Sequence, residues 1–220
     1  MHRDHVPPKG LFEPFAQCQL ITVPCCKQCN NAASKDDEYF IVYVAFRDSA
    51  KGNPQRDRLF KKVISKLEHT RKRKLSKGLL SDIRVIRRTT PTGIILPAAL
   101  AMPINGLRIR NVVNRIVKGI YFHETGSRLP ETHRVISYDE LGFNNPSLEL
   151  ALYLTGIREF IGHLHTRPKK TIGNVFGYRW DSNPVDSANT MWFLEFFESI
   201  RFFCTSDLNG ENLLQWPVTS

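Results

Sequence analysis

Two short stretches near the start of the chain carry groups suited to acid–base and metal chemistry. Arg3-Asp4-His5-Val6-Pro7-Pro8 sets a carboxylate beside an imidazole just ahead of a proline-stiffened turn, and Cys26-Lys27-Gln28-Cys29-Asn30-Asn31 sets a pair of thiols directly before two carboxamides. An imidazole titrates near neutral pH, so it can take a proton from water. Asp4 and Asn30 offer oxygen donors, which a hard cation such as Mg²⁺ prefers, and thiolates at a Cys-x-x-Cys spacing suit Zn²⁺. Hydrolysis of a phosphodiester needs this combination: an activated water, and a cation to carry the charge that builds on the phosphorus oxygens.

Leu20-Ile21-Thr22-Val23 leads into the cysteines, and Ser34-Lys35-Asp36-Asp37-Glu38 opens a helix behind them. In this order the stretches resemble the HNH, or ββα-metal, nuclease family, and most closely its Asp-His…Asn variant found in phage junction-resolving nucleases. The resemblance covers residues 3–39. It implies His5 as general base, Asp4 and Asn30 as ligands of Mg²⁺ or Mn²⁺, and Cys26 and Cys29 as half of a structural Zn²⁺ knuckle. Lys9, Lys27 and Lys35 would then touch phosphates beside the site. Zinc-stabilised members carry a second Cys-x-x-Cys ahead of the Asp-His step, because a closed structural zinc site takes four ligands. The sequence from Met1 to Asp4 does not contain it. Three readings stay open: the start at Met1 lies downstream of the true one, a zinc site is completed locally by Cys18 or Cys25 with His2, or the knuckle is degenerate and Cys26 and Cys29 are buried thiols.

The 220 residues suffice for one large domain or two small ones, and a composition 41% hydrophobic and 24% charged is that of an ordinary globular protein. The charge balance is less ordinary. A formal net charge of +10 and a pI near 9.6 point to a polyanion, nucleic acid or an anionic membrane surface, with nucleic acid, and DNA foremost, as the expected partner. No apolar run approaches the roughly 20 residues that span a bilayer. The N-terminus lacks the apolar core of a signal peptide. Five cysteines, four of them between Cys18 and Cys29, fit a reducing compartment better than a disulfide framework, so a cytoplasmic location is expected.

The expected fold class is α+β: a ββα-metal-like module over residues 1–50, N-terminally incomplete, and a basic α+β domain with antiparallel strands over 51–220. A helix is expected from Lys35 to about Ala50, capped by Ser34 with Asp36, Asp37 and Glu38 in its first turn. The β-branched run Ile41-Val42-Tyr43-Val44 fits a strand as well. Leu59, Phe60, Val63, Ile64 and Leu67 recur at helical spacing in a basic stretch over 56–77, where Arg71, Lys72, Arg73 and Lys74 form a one-signed cluster suited to phosphate contacts. A hairpin follows, with strands near 82–88 and 94–96 around Thr90-Pro91-Thr92-Gly93. A helix over about 107–122 should bury Val112, Val113, Ile116, Val117 and Ile120 and carry Arg108, Arg110, Arg115 and Lys118 on its other side. Then come a strand at 134–138, a helix over about 144–164, and three strands over 172–180, 190–197 and 200–205, with Trp192, Leu194 and Phe196 on one face. His123-Glu124 and the His163/His165 pair read as helix-end features. The competing functional reading is a nucleic-acid-binding protein that does not cleave, and a weaker third is an interaction protein.

Overall fold

The computed structural model describes residues 2–12, 18–69, 84–101, 104–139 and 160–208. In chain order the elements are β1 (His2–Val6), β2 (Ile21–Cys25), α1 (Lys27–Phe46), α2 (Pro54–His69), β3 (Arg84–Thr89), β4 (Ile95–Ala101), α3 (Gly106–Thr125) and β5 (His133–Asp139). They continue with α4 (residues 160–166), β6 (Lys170–Ile172), β7 (Phe176–Ser182), β8 (Thr190–Phe196) and β9 (Ile200–Leu208). The class is mixed α+β, and every strand pair is antiparallel. Among the described residues no helix is long and apolar enough to cross a membrane.

Helix α3 is the centre of the arrangement. Asn105 caps it by accepting from the Arg108 N–H at 3.2 Å, and Gly126 ends it in the left-handed region at φ 73°, donating to the Phe122 carbonyl at 2.9 Å. Between these stops Ile109, Val112, Val113, Ile116, Val117, Ile120 and Tyr121 are all buried, as the helical spacing predicts. The helix packs against α1, the β1–β2 hairpin and β5, to which Asn114 adds a hydrogen bond at the Val135 carbonyl, 3.0 Å.

Gly119 lets the hairpin lie close. A Cβ built there would sit 2.6 Å from Val6 Cγ2, nearer than carbon atoms approach, and a tight 3.0 Å from Cγ1. Gly119→Ala would gain up to ~1 kcal/mol of helix propensity and lose about 1–3 kcal/mol to overpacking against a stiff valine. We therefore expect a lower melting temperature, and in the Gly119→Ala/Val6→Ala double variant a loss smaller than the sum of the two single losses, because Val6→Ala relieves the overlap while costing buried surface of its own. A single variant as stable as the parent would contradict the close packing.

Helix α1 starts well before Lys35. Cys26, extended at φ −83°, caps it with its sulfur, which accepts from the Cys29 N–H at 3.1 Å, while Ser34 lies inside the helix and donates to the Asn31 carbonyl at 2.8 Å. Asp36, Asp37 and Glu38 consequently sit in mid-helix and not in its first turn. The β-branched run is helical because Tyr39, Phe40, Tyr43 and Val44 make one buried stripe, and tertiary burial outweighs local propensity. In α2, the Asn53 carboxamide oxygen caps the Gln55 and Arg56 N–H groups, and Pro54 fills the first helical position. Leu59 and Val63 are buried, and Arg56 is spent on structure: its guanidinium donates to the Arg47 carbonyl and Asp57 at 3.0 Å each.

The C-terminal strands form one five-stranded sheet in the order β5-β9-β8-β7-β6. The strand expected over 172–180 is two strands, β6 and β7, because Gly173 turns the chain at φ 54°. Trp192, Leu194 and Phe196 lie on one face as expected, with Phe202 and Cys204 beside them, and join the core of α1 and α3. Met191, Phe193 and Phe203 lie on the other and are covered by Phe160 and Leu164 of α4. The β8–β9 turn holds Phe197 and Glu198 at φ 49° and 64°, a type I′ pattern whose cost is met by burial of the Phe197 side chain and a bond from its N–H to the Val175 carbonyl, 2.9 Å. A single core cluster runs from Val6 through Phe40 and Ile116 to Phe196, so packing continues past residue 50. The expected phosphate-contacting cluster Arg71, Lys72, Arg73 and Lys74, and most of the helix expected over 144–164, lie outside the described residues.

Candidate functional site

The β1–β2 hairpin runs straight into the cap of α1, so Asp4, His5, the cysteines and Asn30 belong to one hairpin–helix junction. The register pairs His2 with Cys25, Asp4 with Val23 and His5 with Thr22. Side chains alternate along a strand. Val6 and Asp4 face α3, and His5 therefore faces the opposite side together with Arg3. Asp4 is half-buried and meets the Arg115 guanidinium, Nε to Oδ2 3.4 Å. The same guanidinium hydrogen-bonds Asp37 of α1. Two turns further toward the start of α3, Arg108 grips α1 in the same way. It donates to Asp36 Oδ1 at 2.7 Å and to the Lys35 carbonyl at 2.5 Å, and its guanidinium stacks over Tyr39.

Arg108 and Arg115 are thus not on a free outer face of their helix, as expected from sequence. They form the polar seam between α1, α3 and the hairpin. Burial pushes the Asp37 carboxyl up, against the pull of Arg115.

His5 and Asn30 differ from Asp4. Both are half-buried, and neither side chain makes a hydrogen bond or ion pair with another described residue; Asn30 is held through its backbone, its N–H donating to the Cys26 carbonyl at 3.1 Å. Cys26 and Cys29 are exposed. The Cys29 thiol and backbone N–H, joined by further amides of the cap, hydrogen-bond the Cys26 sulfur and hold that thiol below its ordinary range, while the Cys29 thiol is pushed up as the donor. Cys25 is close by, its thiol raised by burial and then by Asp4 and Cys26. Cys18 packs instead beside Gly173 at the β6–β7 turn.

The donor types at Asp4 and Asn30 fit Mg²⁺, a carboxylate and a carboxamide oxygen on adjoining elements, with one condition: Asp4 must exchange Arg115 for the ion. For Zn²⁺ the structure describes half of a donor set. Cys26 and Cys29 supply two thiols, and among the described residues no three His, Cys, Asp or Glu side chains converge as a metal-binding group. Lys9, Lys27 and Lys35 are all exposed, consistent with a role at phosphates.

Three acid–base clusters elsewhere escaped sequence reading because their members are far apart in the chain. Glu124, at the end of α3, accepts from Lys170 and Tyr178. Asp181 takes His163 at 2.7 Å and Arg167 at 2.6 Å, so His163 has a carboxylate partner after all. Buried His133 bonds Asp186 at 2.9 Å. Burial raises Glu124 and Asp181, but the hydrogen bonds to each outweigh it and both carboxyls fall below the usual range. Asp186 is lowered chiefly by His133.

A depressed folded pKa stabilises fully above the unfolded value, about 4 for carboxylates, and the contribution is lost as pH falls through the folded value. Asp37, raised by burial, contributes in the opposite sense. The expected result is a melting temperature that drops below about pH 4, with the drop reduced in Glu124→Gln/Asp181→Asn. An identical acid drop in that double variant would show that other groups govern it.

Compared with family models, with curated proteins and with solved structures, the chain matches none of them.

Proposed function

We propose that the hairpin–helix junction hydrolyses phosphodiester bonds of DNA. The observation that carries this reading is the pair His5 and Asn30: two half-buried polar side chains, unbonded to any described residue, at the hairpin–helix junction that also carries the half-buried carboxylate of Asp4 on the other face of β1. Half-buried polar groups left without protein partners suit a role toward a ligand. His5 takes the proton from the attacking water. Asp4 and Asn30 hold Mg²⁺ or Mn²⁺, which when bound supplies positive charge at the phosphate oxygens. Lys9, Lys27 and Lys35 position the DNA backbone without reading sequence. The test is plasmid nicking with and without EDTA by the parent and by His5→Ala.

A second reading, nucleic-acid binding without cleavage, is favoured by the Asp4–Arg115 ion pair, which already neutralises the carboxylate that a cation would need. Both readings share the polyanion expected of a chain with net charge +10. Salt-sensitive DNA binding with no metal-dependent nicking would select the second.

A further inference from the structure

Strands β3 and β4 form a two-stranded ribbon, a sheet of its own. They pair from Arg84 opposite Ala101 to Thr89 opposite Ile95, with a bulge between Ile86 and Arg88, and turn through Gly93 at φ 86°. Among the described residues, neither strand packs extensively against any other element. The ribbon is nonetheless apolar on its surface. Val85 is 70%, Ile94 62% and Ile95 78% exposed, and Ile86 and Leu96 are exposed as well. An isolated two-stranded ribbon is marginally stable in water, and clustered exposed apolar side chains mark a contact surface.

Charge decides what the contact is. Residues 84–101 contain Arg84, Arg87 and Arg88 and no Asp or Glu, and the Arg84 and Arg87 side chains are exposed. A second copy of the chain would bring like charges together at this surface, whereas a polyanion complements them. The major groove of B-DNA, about 12 Å wide, admits a two-stranded ribbon, and apolar side chains there meet thymine methyl groups.

We propose that β3–β4 is an arm that enters the major groove of duplex DNA, with Arg84 and Arg87 on flanking phosphates and Val85, Ile94 and Ile95 against the base edges. This inference rests on nucleic acid being the ligand, as above, and not on the chemistry of His5. The arm would hold the duplex while the hairpin–helix junction acts on it.

The experiment is fluorescence anisotropy with a duplex of roughly 25 base pairs over a salt series around 0.1 M. It compares the parent with Arg84→Ala/Arg87→Ala, Ile94→Ser/Ile95→Ser and His5→Ala, alongside light scattering for oligomeric state. The arginine pair should lower affinity about tenfold and reduce the salt slope by about two, near 0.9 per lost phosphate contact. The isoleucine pair should lower affinity several-fold and leave the slope unchanged, since no charge is altered. Both should melt as the parent does, because among the described residues neither strand packs extensively on the core. His5→Ala should bind as the parent.

Parental and arm-variant curves that coincide would overturn the arm while leaving nucleic-acid binding in place. Absence of duplex binding by the parent would overturn both. Equal affinity for single-stranded DNA would overturn the groove assignment. A parental dimer split by Ile94→Ser/Ile95→Ser, with DNA affinity unchanged, would assign the surface to a second copy of the chain.

Discussion

His5→Ala is expected to abolish metal-dependent nicking of supercoiled plasmid while leaving DNA affinity nearly intact. Loss of a positioned general base lowers a rate by roughly 10²–10⁴, equal to about 3–5 kcal/mol of barrier. Affinity should survive because phosphate contacts come from exposed lysines and arginines and not from an imidazole on β1. The alternating register supports the same separation of roles: His5 lies on the face of β1 opposite Asp4, so its removal leaves the Asp4–Arg115–Asp37 seam in place. The variant should therefore fold and melt as the parent. EDTA must suppress parental activity to the level of the variant. Cleavage that persists in purified His5→Ala would rule the assignment out, and DNA binding with no cleavage by either protein would select the non-catalytic reading.

Phe40→Ala should cost about 3–5 kcal/mol of stability, a large share of the roughly 5–15 kcal/mol available to a domain. Phe40 is fully buried on α1 and meets Phe196 edge-on at 5.3 Å and Phe202 at 6.0 Å, both on the five-stranded sheet. It is the ring that ties the helix following the candidate site to the body of the protein. Removing it deletes transferred apolar surface and leaves a cavity that rigid neighbours, themselves in ring contact at 5.9 Å, cannot fill. Urea unfolding should show the midpoint fall with the slope kept. A loss under about 1 kcal/mol would mean that α1 and the sheet are not packed as described.

The parts of the fold that could be read from sequence were those with a single strong period. The alternation of Trp192, Leu194 and Phe196 announced a strand, and the stripe from Val112 to Ile120 announced a helix; both hold. The start of α1 could not be read this way, because the capping group is a cysteine sulfur and Ser34, the better capping residue type, has the next turn of helix ahead of it. The partners of Arg108 and Arg115 were hidden because ion pairs between helices leave no periodic trace in either segment. A signal did exist: Arg108, Val112, Arg115 and Gly119 recur at 4, 3 and 4 residues, one stripe of α3 that mixes buried and charged positions with a glycine. Such a stripe marks a closely packed flank better than a solvated face. His163 and Asp181 lie 18 residues apart and meet only because β7 lies alongside α4.

The burial of Cys204 divides the chain's sulfur chemistry in two. Desolvation drives that thiol far above the range in which thiolate forms, whereas Cys26 and Cys29 stand open to solvent at the mouth of α1. An alkylating reagent therefore meets the outer pair in the native protein and reaches the inner sulfur only when the central strands separate. The chain carries its own unfolding clock, legible as the delay between the first adducts and the last.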